Sequence, residues 1–365
     1  MSKYRVFYDL FHQAAAESPG VESFKIRKKS GKIEGRTFKE LQQLVCRLAA
    51  GLSSSGIQSG DRITLLCDSS PNWIIADAGI IAAGAVSVPR GTDVTDDDIL
   101  YIIGHSESRW AIVQQNKDRE RLLKFQKELP KLEKIFVLED ADFNLAQGEH
   151  SIGEIFSAGE TALKANAGLV DDIARKADPD QMATIIYTSG TTGAPKGVML
   201  NQTGWLNALD RALSMNIIVK ADTALSLLPP WHAFERAVEY GVVMAQCQFM
   251  ISGITNLRQD LAEFKPTSFP SVPRIWESLY NGILQKLEKE PPIKKAVFNF
   301  FLEVGAQYSK FDAILNGYDL QVKAKPPLEE AWEKITAAGA MAFLFPLKLA
   351  SGPIFAPIHK AMGGN

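Results

Sequence analysis

The stretch Ala183-Thr-Ile-Ile-Tyr-Thr-Ser-Gly-Thr-Thr-Gly-Ala-Pro-Lys-Gly197 joins an apolar segment to a turn rich in glycine and hydroxyl residues. Its opening, Ala183 to Tyr187, is mostly β-branched or aromatic, which favours a strand. The glycines that follow permit the positive φ angles of a tight loop, and such a loop can turn successive N–H groups inward as an anion nest. The pattern therefore predicts a strand that ends in an anion-binding loop.

The candidate phosphate-binding residues share this loop: Thr188, Ser189, Gly190, Thr191, Thr192, Gly193 and Lys196. Hydroxyl groups add donors, and Lys196 adds a mobile positive charge. The loop is not a Walker A motif, because Pro195 precedes the lysine and Gly197 follows it, where Walker A requires Gly-Lys-Ser/Thr. A flexible linker is the alternative. A linker, however, is not expected directly after an apolar strand, and it is not expected to contain Pro-Lys-Gly.

The segments before this loop alternate between helical and strand patterns. Thr37 and Glu40 have the spacing of a capping box and predict a helix over 37–55. An apolar helix is predicted over 72–83, and a further helix opens at Thr95. Strands are predicted in between and beyond, at 63–67, 85–88, 110–113, 135–138 and 224–228. This alternation predicts an α/β fold with a largely parallel sheet.

Residues 140–180 are more polar and poorly periodic, which suggests a connection between two sheet units. We therefore expect a first α/β subdomain over 1–180, and a second over 181–365 that contains the phosphate loop. After residue 273 the pattern becomes mainly helical and charged, as in a helical insertion.

Residues 337–358 are strongly apolar, but Lys348 and three prolines interrupt them. A membrane-spanning helix needs about 20 continuous apolar residues, so we do not expect one here. An ordinary core helix is the favoured prediction, and a helix on a membrane surface is the alternative.

Bulk composition limits the partners and the compartment. The net charge of −2 gives no support for binding to nucleic acid. Three separated cysteines, Cys46, Cys67 and Cys247, form no disulfide framework, and we expect buried core thiols. The N-terminus has no apolar segment behind its charges, which predicts a cytoplasmic protein with membrane association as the open alternative.

The segment from Thr188 to Gly197 resembles the phosphate-binding signature of the adenylate-forming (AMP-binding) superfamily. The segments Leu228-Pro-Pro-Trp-His-Ala-Phe-Glu-Arg236 and Pro270-Ser-Val-Pro-Arg-Ile-Trp-Glu277 resemble motifs of its long-chain fatty acid–CoA ligase branch. The segment 88–93 departs from the usual pattern of the superfamily. The resemblance implies the large N-terminal domain of that fold, with two packed, mostly parallel sheets and helices.

The resemblance implies ATP-dependent activation of a long-chain fatty acid to acyl-adenylate and then to acyl-CoA, with ATP, Mg2+ and CoA. It implies Thr188 as a magnesium ligand, His232 as a catalytic residue near the reacting carboxylate, and Trp231 and Phe234 as walls of the acyl pocket. The aromatic residues are equally consistent with a plain core. We expect Glu235 and Arg236 to form a structural ion pair.

The resemblance also leads us to expect a truncated chain. The next family motif and the C-terminal domain with its catalytic lysine are expected beyond residue 365, so this chain alone is expected to be inactive or impaired. Transfer to an acyl-carrier protein, and nucleotide or lipid binding without turnover, are the alternative functions.

Overall fold

The computed structural model describes residues 3–188, 194–318 and 325–364. Contacts divide the chain into two units. The first contains residues 1–257 and 266–270, and the second contains 258–265 and 271–365.

The first unit contains ten described strands. They are β1 (Glu22–Arg27), β2 (Ile33–Thr37), β3 (Arg62–Leu66), β4 (Val86–Arg90), β5 (Trp110–Val113), β6 (Lys134–Val137), β7 (Met182–Thr188), β8 (Lys196–Asn201), β9 (Thr223–Ser226) and β10 (Gln248–Ile251).

The helices before residue 270 are α1 (Phe7–Glu17), α2 (Phe38–Ser54), α3 (Pro71–Ala82), α4 (Asp96–Ser106), α5 (Asn116–Leu123), α6 (Ile152–Ala165), α7 (Leu169–Lys176), α8 (Gln202–Ser214), α9 (Ala233–Ala245) and α10 (Leu257–Phe264). The later helices are α11 (Pro273–Leu287), α12 (Pro292–Asn316) and α13 (Pro327–Ala361).

The strands form two sheets, which confirms the predicted mixed α/β fold. The larger sheet has six strands in the order β6-β5-β3-β4-β7-β8, and only β8 runs antiparallel to its neighbour. The smaller sheet has the order β2-β1-β10-β9, with β2 antiparallel to β1 and the other pairs parallel. Each sheet takes strands from both sides of residue 180, and the subdomain boundary at 180/181 stays a prediction.

Both faces of the six-stranded sheet are covered by apolar side chains. Along β5, Trp110 and Ile112 join the larger core cluster, while Ala111 and Val113 join the smaller one on the opposite face. Successive side chains of a strand point to opposite faces, so a strand that is apolar at every position is buried on both sides. This explains why short continuous apolar runs predicted these strands.

The capping box at the start of α2 forms as predicted. The Glu40 amide donates to Thr37 Oγ1 at 3.2 Å, and the Thr37 amide donates to the Glu40 carboxylate at 2.8 Å. Two N–H groups at the helix start are thereby satisfied by side chains. Thr95 caps α4 in a related way by accepting from the Asp98 amide at 3.2 Å.

The polar stretch 140–180 is not a plain connection, because it contains α6 and α7. Glycines allow α6 to pack very closely on α2. A Cβ atom added to Gly159 would lie 1.8 Å from the Arg47 carbonyl oxygen, and one added to Gly51 would lie 2.0 Å from that of Ile155. The two backbones therefore touch directly at these glycines, beside the buried face of α6 that Ile152, Ile155 and Phe156 form.

The second unit is mainly helical, as predicted, but α13 is not a core helix. Ala337 is its one buried residue among those described. Among the described residues, α13 alone is long and apolar enough to cross a membrane, and none of its most apolar window of 18 residues is buried. The expectation of a buried core helix over 337–358 is therefore wrong for this chain.

Candidate functional site

Strands β7 and β8 hold the two ends of the predicted phosphate loop. Thr188 and Lys196 are the last register pair of this antiparallel ladder, so they lie opposite each other where the loop begins and ends. Both side chains are exposed. The predicted residues Ser189, Gly190, Thr191, Thr192 and Gly193 lie outside the described residues.

Tyr187 anchors the end of β7 through its buried side chain. Its ring is 4% exposed, and its hydroxyl lies 2.7 Å from His105 Nδ1 on α4. The Tyr101 ring stacks on His105 with their centroids 5.2 Å apart. Burial raises the pKa of Tyr187 to about 12, so its hydroxyl stays protonated near neutral pH and can donate to His105. Thr188 is thus attached to a strand that is anchored at its last buried residue.

The turn after β4 lies beside this anchored end. Strands β4 and β7 are parallel, with Ser87 paired to Thr184. Both strands run in the same direction, so the turn that contains Gly91 after β4 and the Thr188 end of β7 lie at the same, carboxyl, end of the sheet. Asp68 holds the turn by accepting from the Thr92 amide at 2.9 Å and from its hydroxyl at 2.6 Å.

Trp231 packs against the same turn because Gly91 has no side chain. A Cβ atom added to Gly91 would lie 2.3 Å from the Trp231 ring. The indole of Trp231 is half-buried, and its centroid lies 6.1 Å from that of His232. The contact brings Trp231 to the carboxyl end of β4, which is the neighbour of β7 in the sheet, with His232 next to it in the chain. Ligands of open α/β sheets bind at such carboxyl ends of parallel strands.

His232 stands immediately before the first turn of α9. Its carbonyl accepts from the Arg236 amide at 3.1 Å, while its side chain remains exposed. Partial desolvation lowers the pKa of His232, the charge of Arg90 lowers it further, and Asp93 opposes the shift. The imidazole is therefore neutral at pH 7 and can accept or donate a hydrogen bond without adding charge.

Phe234 lies in the first turn of α9 with its side chain 54% exposed. Its position is consistent with a surface that a ligand or another part of a protein covers. The assignment of Phe234 and Trp231 to an acyl pocket stays a prediction, as does the catalytic role of His232.

The predicted ion pair between Glu235 and Arg236 does not form. Arg236 instead binds Asp77 on α3 in a bidentate pair, with N–O distances of 2.7 and 2.9 Å. Arg236 also donates to Thr184 Oγ1 of β7 at 2.6 Å, and Tyr240 donates to Asp77 at 2.6 Å. Successive helix residues point in different directions, which separates Glu235 from Arg236.

This buried network positions the site. Arg236 and Asp77 are 1% and 0% exposed, and the guanidinium lies 5.0 Å from the centroid of the Trp205 ring. The pair ties α9, whose start is marked by His232, to β7, whose end is Thr188. A bidentate guanidinium–carboxylate pair is directional as well as strong, so it fixes the helix relative to the strand.

Two further carboxyl groups of α9 are buried without a cation of their own. Glu235 accepts a hydrogen bond from Ser226, and burial raises its pKa to about 7. Burial also raises the pKa of Glu239 well above its ordinary value, and Glu235 and Asp77 raise it further. Both side chains are fully buried, so the protonated form of each carboxyl group is favoured.

Sequence reasoning missed Asp77, Asp68 and Gly91. Asp77 had a usable signal, because it is the one acid in the apolar stretch 71–82 and a buried acid needs a partner. Gly91 had a weaker one, since a glycine that follows a buried strand permits a close approach by another group. Which groups approach each of them depends on chain crossings that local patterns do not encode.

Comparisons with solved structures agree on the fold. A long-chain-fatty-acid-CoA ligase, FadD1, from Archaeoglobus fulgidus superposes with a TM-score of 0.65 at 20% identity, covering 80% of this chain and 55% of that one. The N-terminal domain of FACL13 from Mycobacterium tuberculosis superposes with a TM-score of 0.58 at 21% identity, covering 75% of this chain and 64% of that one. The two-sheet architecture is therefore that of the N-terminal domain of adenylate-forming enzymes.

Curated relatives are similar in sequence over most of this chain. The long-chain-fatty-acid–[acyl-carrier-protein] ligase AEE15 of Arabidopsis thaliana is 33% identical over 343 residues, covering 90% of this chain and 46% of that protein. Long chain acyl-CoA synthetase 3 of the same plant is 32% identical over 305 residues, covering 80% and 46%. This chain spans about half the length of the curated relatives it matches.

The family described as AMP-binding enzyme matches residues 11–338. This range contains the β7–β8 loop, both sheets and the start of α9, and it confirms the resemblance predicted from the sequence. Since the match covers far more than half of the 365 residues, the chain belongs to the AMP-binding enzyme family.

Proposed function

We propose that this chain binds ATP and a long-chain fatty acid for an ATP-dependent ligase that forms an acyl-adenylate. The pairing of Thr188 with Lys196 across the ends of the β7–β8 loop carries this proposal. It sets a hydroxyl and a cation at the two ends of the glycine-rich segment 189–195, at the end of the sheet where Trp231 packs on Gly91. A polyphosphate needs this combination of donors and positive charge.

In the proposed reaction a carboxylate oxygen of the fatty acid attacks the α-phosphorus of ATP. The bond from that phosphorus to the bridging oxygen breaks, and pyrophosphate leaves. A thiol of the acceptor then attacks the acyl carbonyl, loses its proton and expels AMP. Such transfers depend on positioning and charge neutralisation more than on covalent help from the protein.

The residues of this chain have distinct proposed roles in that reaction. Lys196 neutralises oxygens of the leaving pyrophosphate, and the neutral imidazole of His232 hydrogen-bonds near the reacting carboxylate. Trp231 and Phe234 cover the acyl chain. These roles follow the resemblance, and the geometry at the end of β7 supports them.

Magnesium fits the proposed site as an ion shared with the nucleotide. Thr188 offers one hard oxygen ligand, and the described residues contain no group of three or more His, Cys, Asp or Glu that would form an all-protein site. Mg2+ commonly keeps several waters and binds phosphate oxygens with few protein ligands. When bound, it would neutralise phosphate charge.

Nucleotide binding tests this proposal most directly. We expect Lys196→Ala to weaken ATP binding by the 365-residue chain by about tenfold or more, because a charge-assisted contact is lost. Isothermal titration calorimetry with ATP and Mg2+ measures the change in affinity. Lys127→Ala is the control, since Lys127 is also exposed. Equal affinities for the wild type and Lys196→Ala would refute the loop assignment.

The acceptor of the acyl group is CoA in the primary proposal and an acyl-carrier protein in the alternative. The alternative is favoured by the relative AEE15, which is named as a carrier-protein ligase. Mass spectrometry of products formed from ATP and palmitate with either acceptor separates the two. ATP binding without pyrophosphate release would favour the third candidate, a nucleotide-binding chain without turnover.

A cytoplasmic setting with peripheral membrane contact belongs to the same proposal. Leu328, Trp332 and Ile335 are spaced as one helical face of α13 and are 75%, 61% and 63% exposed. An apolar face of this kind suits the interfacial region of a bilayer. Sedimentation with lipid vesicles tests the contact, and Trp332→Glu is expected to reduce it.

A further inference from the structure

The second unit contains a groove that no part of the proposed reaction uses. It is lined by α11, the start of α12, the end of α13 and one residue of α10, and its volume is about 620 Å³. All of its lining residues belong to the second unit. Cavities of this size are typical of small-molecule sites.

The walls of the groove are mostly aliphatic. Three helices each contribute a pair of side chains that are four residues apart. The pairs are Leu279 with Ile283 on α11, Ile293 with Val297 on α12, and Ile354 with Ile358 on α13. Phe298 of α12 packs edge-on against Phe355 of α13 at 5.3 Å, which holds two of the walls together. Ile293 is nevertheless 79% exposed, so the apolar surface is uncovered in this chain.

The rim of the groove is cationic. Four charged residues line it: Arg258, Lys286, Lys294 and Glu290. Lys294 is paired with Glu290 at 3.0 Å. Neither the guanidinium of Arg258 nor the ammonium of Lys286 makes a hydrogen bond or ion pair with any described residue. Two cations are therefore left to face an anion at the groove.

Gly282 allows Arg258 to lie at this rim. A Cβ atom added to Gly282 would lie 2.6 Å from Arg258 Nη2, so the guanidinium rests directly on the backbone of α11. This close approach holds the Arg258 cation next to the apolar walls of the groove. Without it, the long side chain of Arg258 would extend into water.

We propose that this groove binds one free long-chain fatty acid, with its alkyl chain along the aliphatic walls and its carboxylate at Arg258 and Lys286. A peptide segment is a poorer occupant, because the lining offers only charged side chains at the rim to satisfy backbone N–H and C=O groups. A long-chain monoanion requires just an apolar channel and a cation at one end. The groove does not depend on the catalytic proposal, since it is built from other residues.

A fluorescent polyene fatty acid, cis-parinaric acid, tests the groove in the 365-residue chain. A saturating non-reactive acyl-adenylate mimic first occupies the proposed catalytic site, and the remaining binding is then titrated below the micelle concentration. We expect one site to remain. Loss of all binding under these conditions would overturn the proposal, whereas failure of the mimic itself to bind would count against the catalytic proposal alone.

Two exposed aliphatic residues of the same unit supply a matched pair of variants. Ile293→Glu puts a carboxylate into the groove and is expected to weaken binding at least about tenfold, through repulsion and the cost of covering a charge. Leu349→Glu likewise puts a carboxylate on α13 but outside the groove, at 63% exposure, and is expected to leave binding unchanged. Equal losses in both variants would overturn the groove as the site.

The carboxylate contact has its own test. Arg258→Gln with Lys286→Gln is expected to weaken binding of the fatty acid about fivefold, and to leave binding of the fatty alcohol of equal chain length unchanged. No loss for the acid would overturn the assigned orientation. Binding of parinaric acid only in the presence of anionic vesicles would also overturn the proposal, because it would identify a bilayer rather than a free fatty acid as the occupant.

Discussion

Helices α3 and α13 are both strongly apolar, yet they lie in opposite environments. All twelve residues of α3, Pro71 to Ala82, are buried, whereas α13 has 35 residues and Ala337 is its one buried residue among those described. Helix α3 contributes Asp77 to the buried Arg236 network that positions the start of α9. Hydrophobicity therefore does not decide burial; the number of neighbouring elements that can cover a helix decides it.

The largest effect is expected for Asp77→Asn in α3. The change leaves the buried Arg236 without a countercharge, and breaking a buried pair in this way costs about 3–5 kcal/mol. Urea unfolding followed by tryptophan fluorescence measures it, because Trp73 and Trp205 lie against Arg236. Asp180→Asn, at an exposed position, is the control. Similar unfolding midpoints for both variants would contradict the role of the pair.

The same isoleucine-to-alanine substitution in each helix compares how much a buried and an exposed side chain contribute to stability. Ile75 of α3 is 0% exposed, and Ile75→Ala is expected to lower the free energy of unfolding by about 2–5 kcal/mol. Ile335 of α13 is 63% exposed, and Ile335→Ala is expected to change it by less than about 0.5 kcal/mol. Urea denaturation of both variants measures the contrast. A comparable loss in both would mean that α13 is covered in solution.

The buried carboxyl of Glu235 predicts a pH dependence. Its pKa is raised from 4.5 to about 7 by folding. Its contribution to the free energy of unfolding is therefore largest below pH 4.5, falls as the pH rises to 7 and is constant above that. Glu235→Gln keeps an acceptor for Ser226 and removes this fall. Its stability relative to wild type should therefore rise by about 3 kcal/mol between pH 4.5 and pH 8.

Denaturation midpoints of wild type and Glu235→Gln across that pH range measure the difference. Glu128→Gln, at an exposed position, controls for the loss of a surface charge. Parallel curves for wild type and Glu235→Gln would show that Glu235 is ionised in the folded protein.

Two helical glycines are expected to respond with opposite signs. Gly159→Ala on α6 forces a methyl group against the Arg47 carbonyl and is expected to destabilise by about 1–3 kcal/mol. Gly339→Ala on α13 meets nothing within 4 Å and is expected to stabilise by about 0.5–1 kcal/mol, because alanine favours a helix. Thermal unfolding distinguishes them, and destabilisation of both would contradict the open surroundings of Gly339.

Local patterns predicted the elements that depend on local chemistry. The α2 cap needs only Thr37 and Glu40, and the β5 run 110–113 shows its burial in four consecutive residues. Strand β7 was predicted from Ala183–Tyr187, whereas β8, which pairs Lys196 with Thr188, was not. The family signature supplied the rest of the expected site.

Contacts between distant segments were not predictable in this way. The partner of Arg236 is 159 residues away, and nothing near Arg236 distinguishes Asp77 from Glu235. Helix α6 was missed although Ile152, Ile155 and Phe156 have helical spacing, whereas its close contact with α2 at Gly159 leaves no signal in the local sequence. The exposure of α13 depends on which neighbours cover it, and its own sequence cannot specify them.

The carboxyl groups of Glu235 and Glu239 also affect calorimetry. Both are ionised in an unfolded chain at pH 6 and favour the protonated form once α9 is buried. Refolding at that pH therefore withdraws hydrogen ions from the surrounding buffer. The heat recorded on folding will include the ionisation enthalpy of the buffer, so Bis-Tris and phosphate solutions of equal pH should give different apparent enthalpies for the same transition.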